Sequence, residues 1–119
     1  MKLNHISLPI ADVRATRVFF EKYFGFRCTV ETKADKFVGL TDSAGLLLTI
    51  SNLDGVGEVV YPKWFHIGFR RDSDDQVDDV YERLNANGFA VGERENMHRA
   101  WTFYLTAPGG FTVEVMHQK

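Results

Sequence analysis

The chain reads as one unit written twice, and that duplication restricts its fold more than any other feature. A strand-like run, Leu3-Asn4-His5-Ile6-Ser7-Leu8, carries His5. Sixty-one residues later a second run, Trp64-Phe65-His66-Ile67-Gly68-Phe69, carries His66 at the same place. Each run leads into a segment with a helix-start residue and then a Gly-Phe pair, Gly25-Phe26 and Gly88-Phe89, which lie sixty-three residues apart. The second copy therefore holds a two-residue insertion. Two copies make an internal duplication and not a solenoid.

Within each copy the pattern predicts one helix and four strands. Asp12 is placed as the N-cap of the first helix, which ends at Phe24 with Gly25 just beyond it. Its inward stripe is expected to be Val13, Phe20, Tyr23 and Phe24. Ser73-Asp74-Asp75-Gln76 is a capping-box pattern for the second helix. Val77, Val80, Tyr81 and Leu84 then recur at helical spacing, and Gly88 stops it. Three strand-like runs follow each helix, at 26–31, 36–41 and 46–51, then at 90–94, 100–106 and 111–117. Asp42-Ser43-Ala44-Gly45 and Ala107-Pro108-Gly109-Gly110 are the turn signals inside each set. The expected class is α+β, with two βαβββ modules. One domain spans 1–119, with module one at about 1–51, a linker at 52–63 and module two at 64–119.

Composition removes several functions. The chain has 119 residues and a formal net charge of −2, so no basic excess points to nucleic acid or an anionic membrane. No run approaches the roughly 20 apolar residues of a membrane span. The start, MKLNHISL, has no signal-peptide pattern, and Cys28 is the one cysteine; together they suggest a reducing cytoplasm.

Alternation along strands sorts the candidate ligands. Ile6 and Leu8 share one face and His5 and Ser7 the other. Phe65, Ile67 and Phe69 oppose His66, Trp64 and Gly68. In the last strand Phe111, Val113 and Val115 oppose Glu114, Thr112 and Met116. The apolar faces belong under the helices. Two imidazoles and a carboxylate on the opposite faces match a facial metal site with open positions. Thr102 and Tyr104 could reach the same cavity. Each residue also has a plain structural reading, as a hydrogen-bonded strand histidine or a solvated carboxylate.

These residues resemble the vicinal-oxygen-chelate superfamily of glyoxalase I, fosfomycin-resistance thiol transferases, extradiol dioxygenases and bleomycin-resistance proteins. Asn4-His5-Ile6-Ser7-Leu8 resembles its opening strand, and Phe19-Phe20-Glu21-Lys22-Tyr23-Phe24-Gly25-Phe26 its first helix end. The run from Phe103 to Glu114, with Pro108-Gly109-Gly110 at its turn, resembles its closing hairpin. The resemblance implies modules forming a cupped mixed sheet, helices outside, around a divalent metal held by His5, His66 and Glu114. Fe(II) is favoured by that ligand set, with Mn(II), Zn(II), Ni(II) or Co(II) able to use it. It also implies a homodimer and a small-molecule substrate bound through two adjacent oxygens.

The resemblance leans toward extradiol dioxygenases, with Tyr104 as hydrogen-bond donor and His98 as acid–base residue. The alternatives are a glyoxalase I-like lyase, a fosfomycin-type thiol transferase and a metal-free sequestering protein of the bleomycin-resistance type. Glyoxalase I uses a fourth ligand, where alignment puts Leu48, or Thr49 after a one-residue slip; neither is a good ligand. In the fosfomycin reading Arg94 stands in for a lysine and Ser7 for a threonine. Trp64, Trp101 and Met116 are candidate pocket walls, and Cys28 a buried small hydrophobe.

Overall fold

A computed structural model describes residues 1–32 and 34–119. The chain forms two compact units, Met1–Val60 and Tyr61–Lys119.

The first unit runs β1 (His5–Pro9), α1 (Val13–Tyr23), β2 (Arg27–Glu31), β3 (Phe37–Thr41) and β4 (Leu47–Ser51). Its sheet order is β1-β4-β3-β2. β1 runs parallel to β4, and the other pairs are antiparallel. A parallel pair needs a crossover, which α1 supplies from one face of the sheet. Asp12 caps α1 by accepting from the Ala15 amide at 3.0 Å, and Gly25 ends it with φ of +70°. The buried stripe is Val13, Thr16, Phe19, Phe20 and Tyr23. Phe24, expected in that stripe, is only half-buried because it is the C-cap and has left the helical register. Cys28 is half-buried, with its thiol donating to the Val30 carbonyl at 3.3 Å.

The segment after β4 is tied back by one side chain. The Asn52 amide donates to the carbonyls of Ala11 (3.1 Å) and Val56 (2.9 Å), and its oxygen accepts from the Val56 amide at 2.9 Å. Each polar atom of Asn52 is thus used in holding the loop.

The second unit runs β5 (His66–Arg70), α2 (Asp74–Ala86), β6 (Glu95–Met97), β7 (Ala100–Thr106) and β8 (Thr112–Gln118). Its sheet order, β5-β8-β7-β6, repeats that of the first. Ser73 caps α2 by accepting from the Gln76 amide, and the Gln76 side chain reaches back to the Asp72 amide at 3.0 Å. Val77, Val80 and Leu84 face the sheet, where Phe103, Val113 and Val115 are fully buried. Tyr81 is half-buried and meets Phe103 edge-on at 5.3 Å. The C-terminus is fastened to α2 through Asp74, which receives His117 at 2.8 Å and Lys119 at 3.0 Å; both contacts hold the Asp74 carboxyl below the usual carboxylate range. Among the described residues, no helix is long and apolar enough to cross a membrane.

One expected strand is displaced. Residues 90–94 do not form a ladder; only Val91 bridges to Leu105, and the pairing strand is Glu95–Met97. The cause is at Gly92, whose amide donates to the Tyr104 carbonyl at 2.8 Å. A Cβ there would sit 3.0 Å from that oxygen, so the backbone approaches β7 more closely than a side chain permits. Between the Val91–Leu105 and Glu95–Thr102 pairs this edge gains one residue over β7, as a β-bulge does.

Candidate functional site

The second unit brings His66, Glu114, Tyr104 and Thr102 onto one face of its sheet. Register sets this up: Glu114 lies opposite Gly68 on one side and Tyr104 on the other, and His66 lies opposite Thr112. The other face carries Phe103, Leu105, Val113 and Val115, buried under α2. Trp101, expected as a pocket wall, belongs to that helix side; its indole N–H donates to Asp78 of α2 at 2.9 Å. It alternates with Thr102, so the two cannot share a face. Met116 is half-buried on the Glu114 face and does not line the cavity described next.

The His66 ring is held in one tautomer. Its Nδ1 lies 3.0 Å from the Trp64 carbonyl, which can only accept, so Nδ1 carries the proton. The Nε2 lone pair is left facing Glu114 Oε1 at 3.6 Å, too long for a direct hydrogen bond. The other carboxylate oxygen accepts from the Thr102 hydroxyl at 2.7 Å. Thr102 is buried and also lies 3.2 Å from the Val115 carbonyl. One oxygen of Glu114 is therefore fixed by the protein, and the other points toward the imidazole lone pair. Gly68 opposite leaves the space open; a Cβ there would lie 3.6 Å from Oε1.

Tyr104 meets His66 edge-on, with ring centroids 5.8 Å apart. Burial raises its phenol above the ordinary tyrosine range, and its hydrogen bond to the Glu114 carboxylate, with the negative charges of Glu114 and Glu95, pushes it further the same way. Tyr104 thus stays a neutral O–H donor. Tyr104 and His66 border a cavity of about 550 Å³ whose lining also includes Lys63, Trp64, Glu95, Met97 and His98. His98 and Arg99 form the two-residue β6–β7 turn with φ of 53° and 63°, the left-handed pair of a type I′ hairpin. The turn projects His98 to the cavity rim.

His5 belongs to the first unit. It is exposed on the β1 face opposite Leu8, and its Nδ1 contacts Asn4 Oδ1 at 3.2 Å. The arrangement repeats that of His66, because the amide oxygen holds Nδ1 and leaves Nε2 available. The fourth-ligand position is settled by register. Thr49 pairs with Ser7 as Glu114 pairs with Gly68, so Thr49 is the counterpart of Glu114, and Leu48 is core. The Thr49 hydroxyl is spent on Ser7 Oγ at 2.7 Å. Among the described residues, no three or more His, Cys, Asp or Glu side chains stand together as a group that could hold a metal ion.

Arg94, expected near the site, is held elsewhere. Its guanidinium pairs with Asp78 (3.1 Å) and Glu82 (3.4 Å) and lies 4.1 Å over the Tyr81 ring. The neighbouring Glu95 lines the cavity instead. Glu95 and Met97 were not legible as site residues because the expected strand, 90–94, stopped short of them.

Comparison with known proteins agrees with this architecture. The family profile described as Glyoxalase/Bleomycin resistance protein/Dioxygenase superfamily matches residues 2–115, and the chain belongs to that superfamily. Among solved structures, a possible glyoxalase from Bacillus cereus is 46% identical, with 98% of each chain covered and a TM-score of 0.87. The fosfomycin resistance protein FosX from Listeria monocytogenes is 22% identical, covering 100% of this chain and 94% of its own with a TM-score of 0.81. A lactoylglutathione lyase from Agrobacterium tumefaciens is 17% identical, covering 98% and 92% with a TM-score of 0.78. The last two are alike in fold. Among curated proteins, none matches.

Proposed function

We propose that the chain is a metal-dependent enzyme that binds a small molecule through two adjacent oxygens, with His5, His66 and Glu114 as the metal ligands. The observation that carries this reading is the convergence of His66 Nε2 and Glu114 Oε1, with Nδ1 of the ring held by the Trp64 carbonyl and the other carboxylate oxygen by the Thr102 hydroxyl. Ligating histidines and carboxylates are commonly oriented in this way by a second hydrogen bond. His5 completes the set from the same chain or from a second copy in a homodimer. Two imidazoles and one carboxylate suit Fe(II) and leave positions for substrate. A metal bound there supplies Lewis-acid stabilisation of charge on a substrate oxygen.

The protein groups do the rest. Tyr104, kept protonated over the ordinary pH range, turns its O–H from Glu114 to a substrate oxygen when the Glu114 carboxylate is taken up by the metal. His98 at the cavity rim exchanges a proton with the substrate. This donor set favours the extradiol-dioxygenase-like form over the alternatives. Thr49 offers no fourth ligand for a glyoxalase I-like set, and Arg94 is committed to Asp78 and Glu82 and so is not free for a phosphonate.

The test is metal content after anaerobic loading, for wild type beside His66→Ala. The proposal expects about one metal per chain, with retention weakened on the order of 100-fold or more in the variant. Equal retention by the two proteins would refute it. Ligand affinity unchanged by complete metal removal would favour the sequestering alternative.

A further inference from the structure

The cavity holds a carboxylate that the proposed chemistry does not use. Glu95 pairs with Thr102 across β6 and β7 and lines the same space as Tyr104 and His66. Among the described residues it makes no ion pair, although Arg94 is its neighbour in sequence. The bulge that precedes β6 separates the two. Arg94 borders a different surface groove with Asp78, Tyr81, Glu93 and Trp101. The cation next to it in sequence is thus committed elsewhere, and the cation that shares its cavity, Lys63, lies over the Trp64 ring and makes no ion pair with Glu95.

The opposite chemistry in the cavity is aromatic. Trp64 is 81% exposed and presents its ring to solvent beside His66. Its face already attracts a cation: the Lys63 ammonium lies 4.9 Å from the ring centroid. Lys63 is itself exposed, on a flexible stem, so its ammonium can yield that ring face to another cation. An ammonium is the group that an indole face and an unpaired carboxylate both attract. An anion there meets the Glu95 carboxylate on the cavity wall.

We propose that Glu95 determines specificity: the cavity prefers small molecules carrying a protonated amine beside an aromatic or apolar body, and it disfavours their anionic counterparts. This rests on the reading that the cavity is the substrate site, and it names the substrate class for it. A volume near 550 Å³ suits such a molecule.

Phenethylamine and phenylacetate are matched probes that differ in the sign of their charge. Their affinities are measured by tryptophan fluorescence on the full chain as purified, with a chelated sample beside it to remove any pull of a bound metal on phenylacetate. Wild type is expected to bind phenethylamine about tenfold more tightly, and Glu95→Gln to remove most of that preference by weakening the amine. Glu95→Gln is isosteric and exposed, so the fold is kept. Equal affinities in wild type, an unchanged ratio in Glu95→Gln, or no binding of the amine would each overturn the proposal. In the chelated sample no metal draws the phenylacetate carboxylate, so the result there is independent of what His66→Ala shows about the metal.

Discussion

Replacing Glu114 by alanine is expected to abolish metal retention and turnover while leaving the fold intact. Its carboxylate is the one negatively charged group in the proposed ligand set. Losing it removes both a bond to the metal and the charge that makes the site selective for a cation. The loss in metal affinity should reach at least the ~100-fold typical of disturbing such sites. Lewis-acid stabilisation is worth several kcal/mol of barrier, so kcat/KM should fall on the order of 1,000-fold. The fold should survive for a local reason. The Thr102 hydroxyl, which loses its acceptor at 2.7 Å, keeps the Val115 carbonyl at 3.2 Å and is not stranded. Equilibrium dialysis with the metal and circular dichroism on the same sample check both halves. A folded Glu114→Ala protein that holds metal as wild type does would remove Glu114 from the site.

The largest effect on stability is expected at Phe20. Its side chain is fully buried and packs against Phe19, Phe24 and Phe26, with ring centroids between 5.1 and 5.6 Å apart in that cluster. These four rings fix α1 and its exit into β2. Phe20→Ala removes the ring that the cluster encloses and leaves a cavity that rigid neighbours cannot fill. Such truncations cost about 3–5 kcal/mol, which is a large part of a small domain's stability. Urea unfolding followed by far-ultraviolet circular dichroism measures this. Both tryptophans, Trp64 and Trp101, lie in the second unit, so their fluorescence reports that unit in the same titration. A loss below about 1 kcal/mol would mean that the cluster is not the core of the first unit.

The fold was legible where local chemistry and periodicity agreed. Asp12 and Ser73 announced the helix starts, Gly25 and Gly88 the ends, and the alternation in β1, β5 and β8 placed His5, His66 and Glu114 on the face away from the helix. The βαβββ order followed from the duplication. The edge strand β6 was not legible. Its position depends on a bulge and on the close approach of Gly92 to Tyr104, a tertiary contact with no local signature. That one shift decided the cavity wall, exchanging Arg94 for Glu95.

Side-chain roles were legible to different depths. The choice between Leu48 and Thr49 needed the β1–β4 register, which a short apolar run such as Leu46-Leu47-Leu48 does not specify. Trp101 could have been assigned to the helix side from its alternation with Thr102. The hydrogen bonds that orient the site, Trp64 carbonyl to His66 and Thr102 to Glu114, come from backbone and cross-strand geometry that only the folded sheet supplies.

The proposed metal site needs His5 to act with His66 and Glu114 on one ion. That requirement is tested most directly by the metal content of His5→Ala after anaerobic loading, measured per chain beside wild type. His5 is exposed and its one side-chain partner is Asn4, so the variant should fold normally. The expected result is about one metal per chain in wild type and a substoichiometric amount in His5→Ala. Full, tightly held metal in His5→Ala would contradict that requirement.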